Sequence, residues 1–384
     1  MQYPHVIEQH AELLPFLWSQ RTALADDETT AITDLNRFDL RLQGNQDGLR
    51  LAGQVAFPIL EHTWSQPSPG VVFGRATVAL AAGDMEQFAQ LTMLPGARAP
   101  LVSALGFAGP GAAANALGLL AARDDLPSRQ IAARGHRALR LAAGLASLIS
   151  DPDLSVQGPA IEAAGLARSV DEAALSALHH AARSGGFGSH WALWLISRDP
   201  SHLEAMLEMP DVDPARAALA ARLASPSLLA GWISAHQRHS PALAIELTAA
   251  LGLVEHLGWL GEVLEDPRYC AQAAQALRRV TGAPDLPVES ELAETGTLLS
   301  AGRELRGWVE ANAGRFVRQE RYLAGARITP RTICAQLSNG KQGVRLQAAF
   351  EAAAWVDSGV PVLNTHGPAF RQLASLRTWN LGLS

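Results

Sequence analysis

His236 and His239, three residues apart, are the nearest approach in this sequence to a helical metal-binding pair. Side chains at i and i+3 share a helix face, as zinc ligands on helices do. A site needs at least a third donor, and no Cys or acid lies close by in sequence. The two therefore read as surface or capping histidines. His179 and His180 are adjacent and diverge on a helix, so they cannot chelate one ion together.

Other chemical motifs fail in the same way. Gly185-Gly186-Phe187-Gly188-Ser189-His190 contains a Gly-x-Gly, but it follows no strand and lacks the later glycine of a dinucleotide loop; it reads as an inter-helix turn. The glycines between Gly106 and Gly111 are not followed by Gly-Lys-Ser/Thr, so no phosphate loop is expected there. No Gly-x-Ser-x-Gly elbow marks a serine nucleophile. The expectation is a chain with no catalytic residue, no metal and no cofactor.

Two groups of residues could instead bind a partner. Arg315, Arg318, Arg321, Arg327 and Arg331 form a basic run with one aromatic, Tyr322, and are the place to look for an anionic partner. A solvated helix face or structural arginine pairing is the blander reading of the same run. Trp191, Trp194, Trp232 and Trp259 are candidate interface aromatics, because large rings are enriched at protein interfaces. Rings also fill cores, and the three-residue spacing of Trp191 and Trp194 favours burial.

The elements that would position these residues are helices. The chain has 384 residues, of which 48% are hydrophobic and only 6% aromatic, so its apolar content is largely Ala and Leu. Both favour helices and close helix packing. The formal charge is −6, unevenly spread: from Arg303 onward 11 basic residues face 5 acids, leaving 20 against 32 elsewhere. An acidic body argues against a nucleic-acid cradle. Cys270 and Cys334 are isolated and suggest no disulfide framework. The first residues lack a basic start and a clean apolar run, and the longest apolar region is broken by Gly109, Pro110 and Gly111. A cytoplasmic protein without a membrane span is expected.

Proline punctuates the sequence at regular intervals. Asp151-Pro152-Asp153, Asp199-Pro200, Asp213-Pro214, Ser225-Pro226, Ser240-Pro241 and Asp266-Pro267 each precede an apolar helical run. Pro is tolerated in the first helical turn, and Asp or Ser before it can cap. Weaker copies start near Val72, Pro100 and Ser128. Units about 25–35 residues apart match the period of two-helix solenoids. Ala160, Ala163, Ala164 and Ala167 make a small-residue face, and Gly165 marks a close helix contact. The expected division is an N-terminal helical cap at 1–67, a repeat array at 68–282, an acidic linker at 283–298 and a basic C-terminal helical region at 299–384. Within the first segment, Gly44 to Gly48 is expected to break the helical pattern.

The repeat grammar resembles HEAT and related short HEAT-like repeats, so the expected fold is an all-α solenoid of helix pairs. Two stretches are more particular. Asp47-Gly48-Leu49-Arg50-Leu51-Ala52-Gly53 is similar to the N-terminal signature of an uncharacterised bacterial HEAT-repeat family. Arg321-Tyr322-Leu323-Ala324-Gly325, with Arg345 to Ala349 and Arg371-Gln372, is similar to its C-terminal signature. Asn45-Gln46 stands where that pattern has a His-bearing pair. Members of that family occur among type VI secretion genes, which implies an accessory role and a protein partner: an effector, a loading component or a neutralised toxin. Some HEAT-like proteins are enzymes, and the deoxyhypusine hydroxylases carry His-Glu pairs on successive repeats; none of the 12 histidines here precedes Glu. The resulting expectation is a non-catalytic protein-binding scaffold. A repeat enzyme with dispersed residues, or nucleic-acid binding through the C-terminal arginines, is the alternative. A homo-oligomer stays open.

Overall fold

The computed structural model describes residues 4–210, 212–283, 295–357 and 359–379. Most of the expected linker at 283–298 lies outside them. Among the described residues the chain is all-α apart from one two-stranded hairpin, and it divides into two compact units. No helix among the described residues is long and apolar enough to cross a membrane.

Unit one comprises residues 1–196 with the pieces 338–343 and 357–379. Its helices are α1 (Pro4–Asp26), α2 (Ile32–Ala52), α3 (Ala56–Thr63), α4 (Pro69–Ala82), α5 (Met85–Gln90), α6 (Arg98–Phe107), α7 (Pro110–Ala121), α8 (Leu126–Leu139), α9 (Leu145–Ile149), α10 (Leu154–Ala167), α11 (Glu172–Arg183) and α12 (Phe187–Ser197). Alternate helices lie side by side: α4 packs on α6, α6 on α8 and α8 on α10. Of the helices between them, α5 packs on α7 and α9 on α11. Phe73, Leu101, Ile131, Leu148, Val156 and Leu178 are buried in this unit.

Unit two comprises 197–337 and 344–356 among its described parts. It holds α13 (Pro200–Leu207), α14 (Pro214–Ala221), α15 (Pro226–His236), α16 (Pro241–Leu251), α17 (Leu257–Val263), α18 (Cys270–Thr281), α19 (Thr295–Asn312), the hairpin β1 (Tyr322–Leu323) and β2 (Ala326–Arg327), α20 (Pro330–Asn339) and most of α21 (Gln342–Trp355). Here α16 packs on α14 and α18, with α13, α15, α17 and α19 alongside. Leu257, Leu260, Leu277, Val280, Leu305 and Tyr322 share one core. The last helix, α22 (Ala369–Thr378), returns to unit one and packs on α2.

The punctuation caps helices at four of its six places; Ser240 precedes α16 without a side-chain cap bond, and after Asp266-Pro267 the helix begins only at Cys270. Asp153, Asp199, Asp213 and Ser225 each accept a hydrogen bond from a backbone N–H in the first turn of the following helix. Hydrogen bonds from Ser155 and Ser201 hold the Asp153 and Asp199 carboxyls below the usual range. The expected break at Gly44 to Gly48 is absent, because α2 runs through it. Gly48 is used for closeness instead: a Cβ there would lie 2.4 Å from the His10 ring.

Gly165 does sit at a tight crossing, where an added Cβ would meet the Ala192 Cα at 2.8 Å and the Trp191 ring at 2.9 Å. Backbone on the facing helix cannot yield as a flexible side chain can. Gly165→Ala is therefore expected to destabilise unit one by about 1–3 kcal/mol, read from the midpoint of urea unfolding.

Candidate functional site

The C-terminal arginines do not form one uniform patch. Arg315, Arg318 and Arg331 are exposed. Arg315 donates to Asn312 at 3.3 Å and lies 5.9 Å from the Trp308 ring centre. Arg327 is exposed but held by the Glu320 carboxylate, its Nε donating at 2.6 Å. Arg321 turns inward: its Nε donates to Leu251 O at 2.7 Å, and one Nη donates to Ala250 O at 3.0 Å and Glu351 at 2.6 Å. Arg321 is thereby committed to the packing of unit two.

Trp191 and Trp194 are each 3% exposed, so they belong to the core of unit one. Trp232 is half-buried and stacks on His236, with ring centres 5.3 Å apart, while the His236 Nδ1 lies 2.9 Å from Trp232 O. Trp259 packs partly buried against the core of unit two. The glycines after Ser184 make the turn between α11 and α12. Among the described residues no cluster of three or more His, Cys, Asp or Glu is arranged to hold a metal ion. Cys270 is buried, which pushes its thiol pKa up and leaves it a poor nucleophile.

No protein-family model, curated protein or solved structure matches the chain.

The largest polar constructions are ones that spacing in the sequence does not announce. In unit one, residues 360–372 run back across the ends of the helices. Arg168 donates to Val360 O and Arg140 to Val362 O, each at 3.1 Å, and Val362 N donates to Leu166 O at 2.9 Å. Asn364 donates to Ala138 O at 2.7 Å, and Arg371 to Ala108 O. Arg21 bridges the buried Asp39, at 2.9 Å, to the carbonyls of His366 and Gly367 at 2.8 and 2.6 Å. Unit two repeats the device. Arg198 donates to Ala353 O at 2.8 Å, Arg222 to Glu351 at 2.8 Å, and the hairpin binds helix ends through Tyr322 N to Gly252 O at 2.8 Å and Ala324 N to Arg279 O at 2.6 Å.

Arg140, Arg168 and Arg198 occupy left-handed backbone at φ 58°, 57° and 61°, where glycine would be the usual residue. Their side-chain hydrogen bonds to returning carbonyls offset that strain. These guanidiniums are structural. Burial holds Arg140 at a pKa of about 9, far below its ordinary value.

Beside them on α8, His136 is 5% exposed and its Nδ1 lies 3.1 Å from Leu141 O. Burial holds its pKa below the usual value of about 6.5. As pH falls through 6.5 the unfolded chain takes up a proton that the folded chain refuses, so stability present above pH 6.5 is lost below it. Melting temperatures recorded from pH 7.5 to 5.5 should fall, and His136→Gln should flatten part of that fall.

Two further groups of residues lie on unit one. Leu13, Phe16, Leu40, Leu51, Val55 and Phe57 are exposed apolar residues of the first three helices and their connections. The second comprises Arg98 on α6 with Arg134 and Arg137 on the adjoining α8, Arg137 being paired with Glu162 at 2.7 Å. A sequence signal for the second exists: from Gln87 to Ala122 the single charged residue is Arg98, and from Leu126 to Ser150 there are four arginines and no acid.

Proposed function

We propose that this chain is a non-catalytic protein-binding scaffold built as a HEAT-like solenoid. The observation that supports the reading is the succession of alternate helices in contact, α4, α6, α8 and α10 in unit one and α14, α16 and α18 in unit two. Such rows bury one face of each helix on its neighbours and present the remaining faces as an extended surface. The polar side chains buried within the units are spent on main-chain carbonyls and ion pairs, a pattern that builds a rigid support.

The resemblance at Asp47 to Gly53, Arg321 to Gly325 and Arg345 to Ala349 supports a place among type VI secretion accessory proteins. The partner is then an effector, a loading component or a neutralised toxin, and the location is the cytoplasm. Several of those residues hold the fold together. Arg321 pairs with Glu351, and the fully buried Arg345 donates to Leu337 O at 3.1 Å.

The test is quantitative affinity capture of the tagged chain at native expression. One protein recovered in a fixed ratio is the expected result. Recovery of none, under conditions in which secretion genes are expressed, would overturn the reading.

A further inference from the structure

Residues 360–364 are held on unit one almost wholly through main chain. Arg168, at the end of α10, donates to Val360 O, and Arg140, at the end of the adjoining α8, donates to Val362 O. Val362 N donates to Leu166 O at 2.9 Å, and the Asn364 side chain donates to Ala138 O at 2.7 Å. Carbonyls of alternate residues facing one way belong to an extended chain. The helix ends thus hold this segment much as a sheet edge holds an added strand. Main-chain bonds supply the grip, and the buried Val362 and Leu363 side chains supply the selectivity.

The seat is costly to fill with these residues. Arg140 and Arg168 sit in strained left-handed backbone, and burial holds both guanidiniums below their ordinary pKa. Next in line, the Thr365 hydroxyl is buried with no hydrogen-bond partner among the described residues. The two flanks of the segment differ. On one side Asp357 and Gly359 are exposed. On the other, Arg21 and Asp39 fix His366, Gly367 and the start of α22. Residues 360–364 can therefore lift while the remainder of the returning chain stays anchored.

We propose that the ends of α8 and α10 are a binding site for an extended, uncharged segment of a partner protein, and that residues 360–364 fill it until that segment displaces them. From Val360 to Thr365 the chain carries no charge, and only Val362, Leu363 and Asn364 give it particular side-chain contacts. A partner segment that repeats this pattern without a buried, unpaired hydroxyl beside it fits the seat better than the chain's own residues do.

The inference rests on the scaffold reading, yet the two can fail separately. A captured partner recovered equally by the parent chain and by a chain with residues 360–364 unseated would sink this proposal alone. Peptide binding at the seat without any captured partner would sink the scaffold reading alone.

The experiment uses the full chain and a fluorescein-labelled peptide of residues Gly359 to Thr365, followed by anisotropy. Val362→Asp in the chain should unseat its own segment and strengthen peptide binding at least tenfold, with the helical circular dichroism unchanged. Adding Arg140→Gln and Arg168→Gln should abolish that gain. If Val362→Asp fails to fold, a protease site inserted after Asp357 and cut in the folded protein frees the segment in its place. No peptide binding, or binding that neither way of unseating improves, would overturn the proposal. Loss of the helical signal on cutting would do the same, since the segment would then be a permanent part of the fold. A peptide with Glu at both apolar positions that binds equally well would overturn the uncharged assignment.

Discussion

Glu351→Ala should destabilise unit two by about 3–5 kcal/mol, because it leaves a buried arginine with no counter-charge. Glu351 is fully buried, and its Oε1 accepts from both Arg222 at 2.8 Å and Arg321 at 2.6 Å. Arg222 is 1% exposed, and burial pulls its pKa down against the opposing pull of Glu351. Arg222 also donates to Ala249 O at 3.1 Å, so it is anchored and cannot swing out to water without breaking α16 contacts. For a unit of this size the loss corresponds to a fall of roughly 10 °C in melting temperature. Replacing the partners together, with Arg222→Met and Glu351→Leu, should recover part of the loss, since the desolvation cost of that pair disappears while Arg321 keeps its bonds to Leu251 O and Ala250 O. A urea-unfolding cycle over the two single variants and the double one measures the coupling. Simple additivity would contradict the arrangement.

Asp39→Ala should have an effect of the same size on unit one, again about 3–5 kcal/mol. The carboxylate is fully buried and ties three segments together. Its Oδ1 accepts from Arg21 Nε at 2.9 Å, and its Oδ2 accepts from the first backbone N–H of α22 at 2.5 Å. Without it Arg21, 6% exposed, stays buried with only the carbonyls of His366 and Gly367. Those bonds carry no compensating charge. The returning segment should loosen as a consequence, so amide hydrogen exchange over residues 362–372 should accelerate more than exchange in α8 and α10. Equal acceleration throughout unit one would show that Asp39 supports the unit as a whole and does not specifically hold that segment.

The helices and their starts were legible because capping is local chemistry. Asp199 with Pro200, or Ser225 with Pro226, can be read within four residues, and each caps its helix. Gly165 was legible for a related reason: a glycine in an otherwise alanine-rich face has no local purpose, so it points to a neighbour. Trp191 and Trp194 followed their spacing into the core.

Contacts between distant segments were not legible. Arg21 meets a carbonyl 345 residues away, and Arg140 one 222 residues away. A main-chain acceptor has no residue type, so nothing in the sequence marks it. The same blindness placed Arg321 in a surface run when its donors point to Leu251, Ala250 and Glu351. Arg140, Arg168 and Arg198 hid the helix ends they occupy, because glycine is the residue that usually signals left-handed backbone there. The Gly44 to Gly48 stretch misled in the opposite sense: Gly48 gives room to His10 and does not break α2.

Native mass spectrometry of the chain, drawn from its own host at native expression, bears most directly on the scaffold proposal. The predicted spectrum holds this 40.7 kDa chain joined to one other protein in an integer ratio, with no further mass beyond the two polypeptides. A chain that instead carries a stoichiometric metal ion or small molecule, and no protein, would contradict it.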